Sequence, residues 1–201
     1  MKVMVGYPPI ESDKGVPLLS QNRQFQWFNK PTYIYPMVPA YAATMAKLHG
    51  HETAWADGIA ENWSFERFVS EYKSFAPDLI LIEAKTPIIK YYWNAIRILK
   101  KTRPECLIAV CGDHVTALPE ETLRNSSADY VLTGGDYDFL LIDLLKHLNN
   151  SRSSIATSDV SSSFTSLPEK NQGIPAGIYY RDGDNIASTG PFELNHNLNE
   201  L

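Results

Sequence analysis

The chain has 201 residues, 44% of them hydrophobic and 20% charged, a globular rather than a disordered composition. Its formal net charge of −5 argues against a general nucleic-acid binder, which needs a basic face for phosphates. No run approaches the ~20 apolar residues that cross a bilayer, and the start MKVMVGYPPI lacks the apolar region and cleavage site of a secretory signal; no membrane association is expected, and a cytoplasmic location is.

Lys2 to Val5 reads as a short buried strand, ended by Gly6 and the Pro8-Pro9 pair, because proline cannot donate to a ladder. Residues 10–37 show no clear period. They carry Phe25, Trp27, Phe28, Tyr33 and Tyr35, too many aromatics for a passive linker, and loops of this length are functional or disordered. A helix is expected from Val38 to His49, with Tyr41, Met45 and Leu48 at helical spacing and Gly50 as its stop. Glu52 to Ala56 is a second strand. Ser64 suits an N-cap for a helix to Phe75 that aligns Phe65, Phe68, Val69 and Tyr72. Leu79 to Ile82 is an uninterrupted apolar run, the mark of a strand covered on both faces.

A helix from about Pro87 to Lys101 follows, then a strand from Cys106 to Val110 that leads into Gly112-Asp113-His114. A short helix around Pro119 to Arg124 precedes the strand Tyr130 to Leu132, and Thr133-Gly134-Gly135 turns the chain into a helix to about Leu148. Residues 149–172 are rich in serine and poor in periodic apolar positions, so they read as a flexible linker. Arg181-Asp182-Gly183-Asp184 between two apolar runs predicts a β-hairpin. Cys106 and Cys111 fall on opposite faces of one strand and read as separate buried thiols. Two cysteines cannot hold an iron–sulfur cluster.

Five strand–helix repeats predict an α/β fold: a three-layer Rossmann-like (flavodoxin-like) domain over residues 1–148, with a five-stranded parallel sheet and a separate C-terminal β-hairpin within 173–201. Ligands of such sheets bind beyond the carboxyl ends of the strands, where Gly6, Thr86, Gly112 and Gly134 fall. The turn Gly6-Tyr7-Pro8-Pro9 lacks G-x-G-x-x-G, and neither a P-loop nor a G-x-S-x-G elbow occurs. A receiver-type acidic residue is also missing, because Asp78 begins the third strand while Glu83 and Lys85 end it. Small and hydroxylated residues on several loops, with an aromatic flap, suit a large flat ligand held through backbone groups.

The segment Gly112-Asp113-His114-Val115-Thr116-Ala117-Leu118-Pro119-Glu120-Glu121 resembles the Gly-Gly-Pro-His-x-Thr-x-x-Pro-Glu segment of the cobalamin-binding domains that precede radical SAM domains. Four further segments keep that family's order: His49-Gly50-His51-Glu52 through Asp57, Phe75-Ala76-Pro77-Asp78-Leu79-Ile80, Ala128-Asp129-Tyr130-Val131-Leu132-Thr133-Gly134, and the hairpin Gly177-Ile178-Tyr179-Tyr180-Arg181. Three features depart from it. Cys111 and Asp113 replace the first Gly and the Pro; Gly134-Gly135-Asp136-Tyr137 replaces Gly-Glu-Gly-Glu; and the 201 residues hold no Cys-x-x-x-Cys-x-x-Cys.

The resemblance implies cobalamin over the strand ends, with its nucleotide tail against the sheet. It implies contacts from Gly6, Tyr7, Pro8 and Pro9; from Glu83, Ala84, Lys85 and Thr86; from Gly112, Asp113, His114 and Val115; and from Thr133, Gly134 and Gly135. The partner it implies is a radical SAM domain, in cis or in trans, which would carry the 4Fe-4S cluster and S-adenosylmethionine in the full-length protein. That barrel would perform methyl transfer, or oxidative cyclisation as in the magnesium-protoporphyrin monomethyl ester cyclase, and these residues alone would be inactive. The altered glycine signatures leave an alternative, a degenerate module without cobalamin that acts in docking or regulation.

Each candidate also has a plainer role. Gly112 suits close approach of a corrin or a tight turn. Thr86 suits a hydrogen bond to the tail or a helix cap. Thr133, Gly134 and Gly135 suit a tail pocket or an ordinary strand-to-helix turn. Glu83 and Lys85 read as polar groups at the pocket rim rather than an acid–base pair. His114 reads as a loop-stabilising residue, and His49 and His51 as structural. No catalytic residue and no metal ligand is assigned. The region after the first strand has no histidine, so any bound cobalamin is expected base-off without a protein imidazole on cobalt, its lower face toward Tyr7 and the aromatic flap.

Overall fold

In the computed structural model, residues 1–18, 26–30, 35–157 and 173–194 are described. Alternating apolar residues in the central strands need cover on both faces, and they receive it. β1 (Lys2–Tyr7) pairs in parallel with β4 (Glu52–Asp57) on one side and β5 (Leu79–Glu83) on the other. β6 (Leu107–Cys111) and β7 (Tyr130–Leu132) continue in parallel beyond β5. Chain order within these five is thus second, first, third, fourth, fifth, the doubly wound arrangement in which the crossover direction reverses beside β1.

The hairpin does not stand apart as expected. β8 (Ile178–Asp182) pairs antiparallel with β7, and β9 (Asn185–Ser188) antiparallel with β8, so the sheet is mixed and seven-stranded, in the order β4-β1-β5-β6-β7-β8-β9. Without the hairpin, β7 would leave its backbone groups unpaired at an edge. Three residues of β7 pair with Ile178 to Tyr180, a contact that a short strand of ordinary composition does not announce.

Helices close both faces. Met4, Ile80, Ile82, Ile108, Val110 and Val131 pack against Phe68 and Tyr72 of α2 (Phe65–Phe75) and Tyr92, Ile96 and Leu99 of α3 (Ile89–Thr102). Val3, Val5, Leu79, Leu81, Ala109 and Leu132 face α1 (Met37–Leu48) and α6 (Tyr137–Thr157). Cys106 lies in the first core and Cys111 in the second, both free and buried. Ser64 caps α2 by accepting from the Arg67 N–H at 3.2 Å, as its sequence predicts.

The strand ends differ from the sequence reading in a consistent way. β1 runs through Gly6 to Tyr7, because Gly6 pairs with Ala56 and Ile82 on its two sides and Tyr7 with Asp57; Pro8 stops it. The first turn after β5 is a 3-10 turn at Thr86–Ile88, with α3 beginning only at Ile89. Gly112 opens a further short helix, α4 (Asp113–Ala117), before α5 (Pro119–Asn125), so Asp113, His114 and Val115 sit on a helical turn rather than an open loop.

Within 10–37, β2 (Val16–Leu18) and β3 (Gln26–Phe28) form a two-stranded antiparallel ribbon whose Trp27 packs onto the first core. Three-residue strands, one holding Pro17, are too short to show a period. Phe25 and Tyr33 lie outside the described residues. α6 continues past Leu148 to Thr157. Residues 158–172, the remainder of the expected serine-rich linker, also lie outside them.

Candidate functional site

The carboxyl ends of β1, β5, β6 and β7 emerge along one edge of the sheet, and the residues singled out from the sequence join them crosswise. The Tyr7 hydroxyl at the end of β1 donates a short hydrogen bond to Glu83 at the end of β5. Lys85 Nζ lies 3.3 Å from Glu83 Oε1 and 2.8 Å from Asp113 Oδ2 on α4. Tyr137, at the start of α6, is buried in the second core, and the Glu83 charge acts on its phenol. One carboxylate, only 8% exposed, therefore ties together the ends of β1 and β5, and reaches α4 through Lys85.

These surroundings shift the titrations of Tyr7, Tyr137 and Lys85. Burial pushes the Tyr7 phenol well above its ordinary value, and the Glu83 charge adds to the effect. Tyr137 is raised in the same way, by burial first and then by Cys111 and Glu83. Burial alone would lower Lys85, but the Glu83 and Asp113 carboxylates outweigh it and raise the ammonium. Glu83 and Lys85 thus form an internal ion pair beneath the rim. That arrangement holds loops together; with both groups engaged, it is poorly suited to exchange protons with a substrate.

Gly112 is required by its surroundings. Its φ is +108°, and a Cβ there would stand 2.5 Å from the Ala84 carbonyl oxygen. The close approach is fixed by Ala84 N–H donating to Cys111 O at 2.8 Å. From α4, His114 Nδ1 lies 3.1 Å from Thr86 Oγ1. Its Nε2 is 3.2 Å from Glu121 Oε2, although without hydrogen-bond alignment. The ring meets Trp93 edge-on at a centroid separation of 6.2 Å. His114 is 4% exposed and links α3, α4, α5 and the turn after β5.

Several sequence candidates turn inward instead. Ala84 and Val115 are fully buried. Gly6 is packed under Phe68, and buried Pro8 offers its carbonyl to the Tyr92 hydroxyl at 3.2 Å. The Thr133 hydroxyl donates to Gly177 O at 2.6 Å, toward the hairpin. Gly134 is covered by the Phe192 ring, which would stand 2.3 Å from an added Cβ. Pro9 is half-buried, and the candidates left exposed are Thr86, Asp113 and Gly135, the last with nothing within 4 Å of its Cβ position.

Thr116, Tyr137 and Phe192 were not among the sequence candidates. Thr116 Oγ1 donates to Gly112 O at 2.9 Å and accepts from Gly134 N–H at 3.0 Å, joining the loops after β6 and β7. Its place in the His-x-Thr motif was the available signal; nothing local marks Tyr137 or Phe192.

Other motif residues serve the opposite end of the sheet. Asp78 accepts from Lys2 N–H at 2.7 Å, and Asp129 accepts from Ile108 N–H at 2.7 Å and pairs with Lys100 at 2.8 Å. Arg181 on β8 donates to the carbonyls of Ala128 at 2.9 Å, Ser126 at 2.8 Å and Leu123. These residues set strand register and hairpin docking. Their recurrence in order reports the scaffold rather than the site.

Among the described residues no group of histidine, cysteine and acidic side chains is placed to hold a metal ion, and no helix is long and apolar enough to cross a membrane. The chain is similar to an uncharacterized methyltransferase of Pyrococcus horikoshii, with 24% identity over 166 residues, covering 83% of this chain and 32% of that protein. Two structures of the radical S-adenosylmethionine methyltransferase TsrM from Kitasatospora setae share its fold. One, with cobalamin and a [4Fe-4S] cluster bound, aligns with a TM-score of 0.59 at 12% identity over 97% of this chain and 30% of that one. The other, with tryptophan substrate and a SAM analogue, gives 0.61 at 13% identity over 96% and 30%. The chain thus spans about a third of the length of these relatives. Residues 31–139 match the B12 binding domain model, more than half of the 201 residues, and the chain belongs to the B12-binding domain family.

Proposed function

We propose that this chain holds cobalamin over the carboxyl ends of β1, β5, β6 and β7 as the cofactor-carrying part of a radical SAM enzyme. The observation that carries the reading is the convergence of these loops on one sheet edge, three of the four lying inside the residues that match the family. The exposed parts fit a large neutral ligand: Gly135 leaves open space, Thr86 offers a hydroxyl, and the charges of Glu83 and Lys85 are paired with each other.

When bound, cobalamin supplies a cobalt centre for methyl transfer or for one-electron chemistry. The residues of this chain bind and orient. Gly112 allows the loops after β5 and β6 to approach closely, while Glu83 and Lys85 hold the loop after β5 from beneath. Thr86 and Asp113 face outward. Methyl transfer or oxidative cyclisation, S-adenosylmethionine and the iron–sulfur cluster belong to a barrel domain, in cis or in trans, on this reading. Purified chain incubated with hydroxocobalamin should leave gel filtration with corrin absorbance under the protein peak. A colourless protein peak that nevertheless retains a radical SAM partner chain would replace the reading with a docking module.

The cobalt is expected to carry no protein imidazole. Residues 8–18 contain no histidine, and His114 is buried between Thr86, Glu121 and Trp93. Electron paramagnetic resonance of the reduced complex should show no nitrogen superhyperfine splitting from protein. Splitting that vanishes in His114→Ala would reverse this assignment.

A further inference from the structure

Two glycines meet one aromatic ring at the carboxyl end of β7. Gly134 follows that strand with φ +91°, and Gly177 precedes β8 with φ +88°. A Cβ on Gly134 would collide with three atoms of the Phe192 ring, and one on Gly177 would stand 3.0 Å from Phe192 Cα and Cβ. Thr133 locks the two glycines together by donating to Gly177 O through its N–H at 3.0 Å and its hydroxyl at 2.6 Å. The result is a slot without side chains, open to a flat group. Phe192 enters it from a segment with little else to hold it. The Thr189 hydroxyl donates to Pro175 O at 2.7 Å, and Gly190 O accepts from Gly177 N–H at 3.3 Å. Beyond Gly190 no hydrogen bond among the described residues holds Pro191 to Leu194, and Pro191, Glu193 and Leu194 are exposed.

We propose that Phe192 is a displaceable plug: its ring fills the Gly134–Gly177 slot while the strand-end edge is empty, and a ligand seated there expels it. The ligand that can do so presents a flat group of its own to the two glycines. That it is cobalamin rests on the reading above; the seating of the ring does not. The half-buried ring lies in the slot itself, and its flanking residues have no hydrogen bonds to break as it leaves. While the plug is seated, apparent affinity falls by the fraction of chains whose slot is open. Expulsion redirects residues 191–194, so occupancy of the site becomes a movement of the chain beyond the hairpin.

Two measurements on the 201-residue chain test this. Fluorine NMR of chain labelled with 4-fluorophenylalanine, the Phe192 signal assigned by its loss in Phe192→Leu, should place that signal away from the random-coil position in the free chain. Hydroxocobalamin should return it to that position as the corrin is taken up. In absorbance titrations Phe192→Ala should bind hydroxocobalamin roughly tenfold more tightly than the unaltered chain, the gain for a slot closed about nine-tenths of the time, with Phe192→Leu between them. Retained amide signals from β8 and β9 verify that both variants fold. A random-coil Phe192 signal without ligand overturns the seating. A signal unmoved by bound corrin, or a Phe192→Ala chain that binds equally or more weakly, makes the ring a permanent wall and overturns the plug while the cobalamin reading stands. Corrin uptake by Phe192→Ala alone supports the plug. Uptake by neither chain, with the ring seated, overturns the plug and the cobalamin reading together.

Discussion

At the residue scale, two glycines with positive φ separate backbone strain from packing. Gly112 has φ +108° with the Ala84 carbonyl 2.5 Å from an added Cβ, whereas Gly50 has φ +81° with open space around it. Gly50→Ala should therefore cost about 1 kcal/mol, the strain of a left-handed L-residue. Gly112→Ala should cost more, about 3 kcal/mol, because backbone must move as well. Denaturant unfolding of both variants measures the difference; equal losses would mean that the loops after β5 and β6 are slack. Gly112 was legible in the sequence as a strand-end glycine in a recognisable motif. Glu83 was legible only as a polar residue after an apolar run, and a rim position was the natural expectation. Its tie to Tyr7 depends on a residue 76 positions away along the chain, a separation no local pattern encodes.

At the element scale, the hairpin owes its place to one side chain as well as to its ladder. Arg181 brings a guanidinium to the carbonyls of Leu123, Ser126 and Ala128, where α5 ends and the turn into β7 begins. Arg181→Met keeps the aliphatic stem but leaves those carbonyls without the donor. It should cost about 2 kcal/mol, and amide exchange should quicken in β8 and β9 while β1 and β5 stay protected. Uniform quickening across the sheet would show that the hairpin is not a separate cooperative element. The hairpin turn itself was plain from Asp182-Gly183. Its partner strand was not, because a turn signal fixes local chain reversal and says nothing about which edge the reversed chain meets.

At the scale of the whole molecule, the core holds phenols where an alkaline solution would ionise them. Tyr7, Tyr72, Tyr92 and Tyr137 are all raised above the ordinary value of 10.0, burial being the first cause in each. The folded chain keeps these protons as pH rises through 10, while the unfolded chain releases them. The unfolded state then binds fewer protons, so stability falls with rising pH, by up to about 1.4 kcal/mol per pH unit for each phenol. Urea unfolding between pH 9 and 11 should show this decline, and Tyr92→Phe should flatten it by about one proton. A stability that stays level to pH 11 would mean that the phenols are not buried together in the native state.

The sequence by itself determined the parallel strand–helix alternation, the Ser64 cap and the opposite placement of the two cysteines. Each follows from short-range periodicity, from chain-turning residues, or from motifs that recur in one order. Only the tertiary structure decided that the hairpin completes the main sheet, that Thr133 and Gly134 turn toward it and Phe192, and that Glu83 is an internal tie. Those outcomes depend on which distant surfaces meet once the core excludes water, and the energy of such meetings is shared among residues that carry no common local pattern.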